Sequence, residues 1–181
     1  MSGIVRLNLL AHGMTEAMSA GRFPADEPLS ELGVRQVRAV DNLGPVDRVL
    51  AAPETRTRQA ADLCGWTAET DPRLVDLDYG GWQGAILTDV DPRALQMWMT
   101  DPASAPHGGE SLTALIRRTA GWLDSVSRTN GRVVAVTHPA IIRAAILTVL
   151  DAAPESFWRI DIAPASRTVL HYRHGWTLRV P

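Results

Sequence analysis

The chain is poor in cysteine. Cys64 is its only one, so neither an internal disulfide nor a thiolate metal cluster can form. A reducing compartment fits this usage. Net charge is also scarce: 18 basic residues against 20 acidic ones leave −2, which argues against general affinity for nucleic acid or an anionic membrane. No apolar run reaches the length of a membrane span. The first ten residues lack the basic stretch and long apolar core of a signal peptide, so the expected location is cytoplasmic. Repeats, low-complexity tracts and linkers are missing. No His/Asp/Glu cluster has ligand spacing, so no metal and no cofactor is expected. What remains is an ordinary globular composition over 181 residues, 45% hydrophobic and 21% charged, which suits a single domain over 1–181. Nothing in the pattern specifies an oligomeric state.

Short apolar runs predict strands at Ile4 to Ala11, Asp47 to Ala51 and Val133 to Thr137, the last without polar alternation and so buried on both faces. Alternation predicts a further strand over Arg73 to Asp78, and Arg167 to Arg173 with Trp176 to Val180 predicts a closing pair. Helices are predicted after Ser30, from Glu54 to Cys64, from Glu110 to Val126 and from Ala140 to Leu150. Residues 13–29 read as a loop. Residues 86–107, with a helical piece from Leu95 to Met99, read as a short excursion from the core. Strands and helices alternate. The expected fold is therefore a three-layer α/β/α sandwich, a mostly parallel central sheet with helices on both faces.

Two histidines stand just beyond strands: His12 after the first and His138 after the most apolar one. Ligands bind beyond the carboxyl ends of strands in open α/β sheets. If the two strands are parallel neighbours, both imidazoles face one crevice. The bland alternative is that each merely satisfies a loop hydrogen bond. Trp82 and Trp98 read as core, and His107, His171 and His174 have no motif partner.

Six blocks, in order, carry a resemblance. They are Leu10-Ala11-His12-Gly13-Met14-Thr15; Gly21-Arg22-Phe23 with Pro28-Leu29-Ser30 and Gly33; and Ala51-Ala52-Pro53 with Arg56 and Gln59-Ala60-Ala61. Leu74-Val75-Asp76 with Gly80-Gly81-Trp82-Gln83-Gly84, Gly108 to Ser111, and His138-Pro139 with Ile142-Arg143 follow. In this series the chain resembles the histidine phosphatase superfamily, which includes phosphoglycerate mutases and α-ribazole phosphatases. The resemblance implies a phosphoglycerate mutase-like fold. It also implies a small phosphorylated metabolite or inorganic phosphate as partner, neither nucleic acid nor membrane, and no metal.

Carried over residue by residue, the resemblance makes His12 the nucleophile that takes the phosphoryl group. Such a nucleophile must be a neutral imidazole with one nitrogen free. Arg56 and His138 would neutralise charge on the transferring oxygens. A solvated helix face is the alternative for Arg56, although Arg58 suits that face better. Asp76 matches the acid that protonates the leaving oxygen, with Asp78 as competitor. Gly13 and Thr15 would contact phosphate, and Arg22 would contact substrate or hold its loop.

Three departures from the family pattern bear on activity. Ala11 stands where the family has the first arginine of Arg-His-Gly, and losing one transition-state donor costs about 10²–10³ in rate. Pro139 replaces the glycine after the second histidine and removes an N–H. Asp76 is one methylene shorter than the usual Glu. The expected function is hydrolysis of a small phosphomonoester through a phosphohistidine on His12, at reduced rate. The alternatives are a catalytically impaired phosphate-binding or regulatory domain and, more weakly, a phosphoglycerate mutase-type transferase. Arg22, Arg143 or another basic residue would fill the volume vacated at position 11.

Overall fold

Strand-forming runs and capped helices alternate along a computed structural model, which describes residues 4–180. The strands are β1 (Val5–Ala11), β2 (Arg48–Ala51), β3 (Glu69–Thr70), β4 (Gly131–Thr137), β5 (Arg167–Tyr172) and β6 (Trp176–Arg179). The helices are α1 (Glu16–Ser19), α2 (Glu31–Arg38), α3 (Thr55–Leu63), α4 (Pro92–Thr100), α5 (Leu112–Ser127) and α6 (Pro139–Leu150). One sheet in the order β3-β2-β4-β1-β5-β6 holds all six strands. The first four run parallel, and β5 and β6 close it antiparallel.

Successive side chains of a strand point to opposite faces, and here both faces are covered. Leu7 and Leu9 of β1 with Val133 and Ala135 of β4 pack against α5 and α6 through Leu115, Trp122, Ile141 and Ala145. Leu10, Val134 and Val136 face the other way, onto Val37 of α2 and Ala60 and Ala61 of α3. The sheet is therefore the middle layer of an α/β/α arrangement, as its patterning predicts. Ser30 caps α2 by accepting from Gly33 N–H at 3.1 Å. Gly33 also crosses Gly13 so closely that a Cβ on either would strike the other segment's backbone carbonyl. That crossing fixes the loop after β1.

Two expectations need correction. The Arg73 to Asp78 segment is not a strand. Pro72–Leu74 forms a 3₁₀ turn, and the residues after it run extended without a partner strand. The alternation is real, since Leu74 and Leu77 are buried in the core. The segment's carbonyls, however, are taken by a side chain: the Arg118 guanidinium donates to the carbonyls of Arg73, Val75 and Asp76, and pairs with Glu110 at 2.7 Å. In the 86–107 stretch the helix is longer than Leu95 to Met99, because Asp91 caps it and Pro92 opens it. Its Trp98 packs into an aromatic cluster with Phe23, Tyr79, Trp82 and Trp158, which ties the excursion back to the core.

Candidate active site

Each of the four parallel strands delivers a polar group to the same rim. In sheet order, β3 leads to Asp76, β2 to Glu54 and Arg56, β4 to His138, and β1 to His12. The strand ends are in register: His12 N–H donates to Thr137 O at 3.1 Å, and Ala52 N–H to Val136 O at 2.9 Å. Adjacent parallel strands thus bring residues 12, 54, 56, 76 and 138 together from distant parts of the sequence.

The state of His12 follows from its partners. Its Nδ1 lies 2.7 Å from Gly13 O, which can only accept, so Nδ1 carries the proton. Its Nε2 lies 3.3 Å from Arg56 Nε, which can only donate, so Nε2 presents its lone pair. Burial, then the charges of His138 and Arg56, lower the His12 pKa from 6.5 to about 3. The imidazole is therefore neutral at physiological pH, with its free nitrogen facing a guanidinium.

Arg56, 1% exposed, sits in the first turn of α3. Its Nη1 donates to Ala25 O at 2.6 Å and its Nη2 to Asp76 Oδ2 at 2.9 Å. Arg58 takes the exposed face instead. Asp76 is held at its other oxygen by Leu77 N–H, 2.8 Å away. His138 is wholly buried and crosses the His12 ring edge-on at 5.2 Å between centroids. His138 Nδ1 stands 3.4 Å from Asp76 Oδ2 and has no hydrogen-bond partner among the described residues.

Sequence reasoning missed Glu54. Its Oε2 accepts from His138 Nε2 at 2.9 Å, and its Oε1 accepts from Asp76 N–H at 2.9 Å. Burial pushes this carboxyl up, but the His138 hydrogen bond and charge and the Asp76 N–H outweigh it and bring the pKa down to about 2. The only available signal was an acidic residue between Pro53 and Arg56, directly beyond β2.

Other predicted residues are placed differently. Gly13 contributes its carbonyl to His12. Thr15 is fully buried, and its hydroxyl donates to Glu27 Oε1 at 3.2 Å and accepts from Met18 N–H. That hydroxyl is occupied in capping α1, and Thr15 lines neither cavity at the rim. Arg22 is exposed, bridges by its backbone to Ile86, and lines an apolar recess with Phe23, Leu87 and Trp98. Asp78 bonds Gly80 N–H rather than the histidines. Ala11 is fully buried within the main core. Pro139 opens α6, so the first N–H of that helix belongs to Ala140.

Two cavities meet at Arg56, Asp76, Leu77 and Tyr79. One, about 610 Å³, is acidic, with Asp26, Glu54, Asp78 and Glu110 on its walls. The other, about 400 Å³, contains His12 and is walled by Tyr79, Phe157, Trp158 and Arg143. The chain contains no lysine, so every side chain able to grip an anion permanently is an arginine. Among the described residues no group of three or more His, Cys, Asp or Glu side chains could hold a metal ion, and no helix is long and apolar enough to cross a membrane.

Comparison with known proteins agrees with the fold. A family model described as the histidine phosphatase superfamily (branch 1) matches residues 7–180. The chain is 27% identical to phosphoserine phosphatase 1 of Hydrogenobacter thermophilus, over 93% of this chain and 87% of that one. It is 29% identical to the adenosylcobalamin/α-ribazole phosphatase of Salmonella typhimurium, over 97% and 95%. A solved mycobacterial glucosyl-3-phosphoglycerate phosphatase in complex with VO3 superposes with a TM-score of 0.84 at 28% identity, covering 97% of each chain. Against some other mycobacterial relatives, 29% identical, the chain spans only 50% of their length.

Proposed function

The chain belongs to the histidine phosphatase superfamily, and from that premise we propose that it hydrolyses a small phosphomonoester through a phosphohistidine on His12. The carrying observation is the state of His12: a neutral ring, its Nδ1 proton held by Gly13 and its Nε2 lone pair turned to Arg56. An imidazole that only filled a loop hydrogen bond would not need its second nitrogen aimed at a buried guanidinium.

In this reading His12 Nε2 attacks phosphorus while the bond to the ester oxygen breaks. Asp76, entering as the carboxylic acid, gives its proton to the departing oxygen. Water then attacks phosphorus, Asp76 takes the water's proton, the P–N bond breaks, and inorganic phosphate leaves. Arg56 and, as the imidazolium with Nε2–H on Glu54, His138 through Nδ1–H donate to the non-bridging oxygens, where positioning and charge neutralisation supply most of the catalysis. Arg56 reaches those oxygens by giving up part of its present bonding to Asp76 and His12. Glu54 holds the Nε2 proton of His138, which leaves Nδ1 as the nitrogen that faces the reaction. The relatives named above act on different phosphorylated metabolites, which supports the substrate class and leaves the individual substrate unassigned.

Incubation with p-nitrophenyl phosphate and a panel of sugar, amino-acid and nucleotide phosphates tests this reading. Expected are phosphate release and, after acid-free quenching, an acid-labile phosphoryl label on the protein, both lost in His12→Ala. Release that is equal in His12→Ala would overturn the reading. A second reading, binding without turnover, is favoured by one observation: Ala11 offers no donor beside His12. Thermal stabilisation by phosphate or vanadate with no hydrolysis of the panel would decide for it.

A further inference from the structure

The cavity beside His12 extends between the start of α6 and the 157–164 segment, and at about 400 Å³ it is far larger than a phosphoryl group needs. Apart from Arg56, Arg143 is the only cation on its wall. Arg143 lies four residues after Pro139 on α6, so helical spacing sets both on the cavity side. Its Nε donates to Ile160 O at 2.7 Å. Its guanidinium lies 5.6 Å from the Phe157 ring centroid and 5.7 Å from that of Trp158. The side chain is thus held in place, yet among the described residues neither Nη atom has an acceptor and no carboxylate pairs with it.

The two parallel Nη donors of this half-buried guanidinium open onto the cavity and are free to take an anion there. Burial is the leading influence on its pKa and pulls it down, against the fields of Tyr79, Asp161 and Asp76. Two coplanar Nη donors match the two oxygens of a carboxylate. A second phosphate suits the place less well, because its larger charge would meet Glu27 and Asp161 on the same wall.

We infer that Arg143, on its Phe157 and Trp158 floor, is a leaving-group subsite for a carboxylate, so that the preferred substrates are phosphomonoesters bearing a carboxylate a few bonds from the ester oxygen. This inference rests on the phosphatase reading of His12.

Matched esters that differ at this group test it: O-phosphoserine against O-phosphoethanolamine, and 3-phosphoglycerate against glycerol 3-phosphate. Wild type is expected to favour the carboxylate member of each pair by about tenfold or more in kcat/KM, the scale of one charge-assisted hydrogen-bonded pair. In Arg143→Met the ratio within each pair falls towards one, whatever the absolute rate. In Arg143→Lys, which keeps a charge but loses the fork, it falls part of the way. Equal use of both members by wild type, or a preference that survives in Arg143→Met, overturns the inference. If wild type hydrolyses none of the esters, nor p-nitrophenyl phosphate, above the His12→Ala level, the phosphatase reading fails. The same ratios are then read as dissociation constants by calorimetry, where the same two outcomes apply.

Discussion

Glu54 Oε2 lies 2.9 Å from His138 Nε2, and the same carboxylate fixes the backbone of Asp76 through its other oxygen. One side chain thereby sets both the ring orientation of His138 and the position of the proposed acid. Glu54→Gln keeps an acceptor but removes the charge. It should lower kcat by about 10-fold or more, with a smaller change in KM, because it acts through groups that matter most as charge develops. Glu54→Ala should cost more, since it also frees the Asp76 segment. Steady-state kinetics on p-nitrophenyl phosphate check this, and an unchanged kcat in Glu54→Gln contradicts it.

Arg56 gives a second prediction. All three of its nitrogens are in use at 1% exposure, so truncation leaves the half-buried Asp76 and the Ala25 carbonyl without their partner. Arg56→Ala should destabilise the fold by about 3–5 kcal/mol, as breaking a buried pair does, and should abolish turnover. Arg56→Lys should recover much of the stability but little activity, because an ammonium cannot span His12, Ala25 and Asp76 at once. Urea unfolding and turnover on the same samples separate the two effects. Equal activity in Arg56→Lys and wild type contradicts the assignment.

The fold was readable because its signals are local and agree with one another. The unbroken Val133 to Val136 run, Ser30 three residues before Gly33, and Gly65 closing α3 with φ +75° each state an element or its end. His12, Arg56, Asp76 and His138 were readable because each stands at or just beyond a strand in a recognisable block. Other features were not readable. Thr15 and Arg22 are close to His12 in sequence, but the Thr15 hydroxyl caps α1, and Arg22 is exposed beside the Phe23 and Trp98 recess rather than on the His12 cavity. The Asp76 segment alternates like a strand because one side is buried, while its real partner is Arg118 from α5, 42 residues away. Glu54 carries no pattern at all, because only the β2-β4 adjacency turns it towards His138.

Filling position 11 tests the missing donor. Ala11→Arg should raise kcat about tenfold or more if the neighbourhood of His12 simply lacks a second cation beside Arg56. The variant should also lose stability, because the native alanine is fully buried in the main core and a larger side chain must thread out of it. A drop in kcat with a cooperative unfolding transition retained would mean that another group, with Arg143 a candidate in the same cavity, already serves there.

The depressed His12 pKa links the site to stability with a definite sign. Folded His12 titrates at about 3 against an ordinary 6.5. Between those values the unfolded chain binds a proton that the folded chain does not, so stability rises with pH across the window. The contribution is complete above pH 6.5 and is lost as pH falls towards 3, on the order of 5 kcal/mol if the whole shift is realised. Glu54, depressed from 4.5 to about 2, adds in the same direction but only at lower pH. His12→Asn should therefore flatten the dependence of unfolding free energy on pH between 6.5 and 4.5, where Glu54 contributes little. Urea titrations of wild type and variant at pH 7, 5.5 and 4.5 measure this. The same shift keeps the nucleophile unprotonated at pH 5, so any loss of turnover there must come from other groups. Parallel pH profiles for the two proteins would show that His12 takes up its proton in the folded state as an exposed histidine does, and the neutral nucleophile would have to be given up.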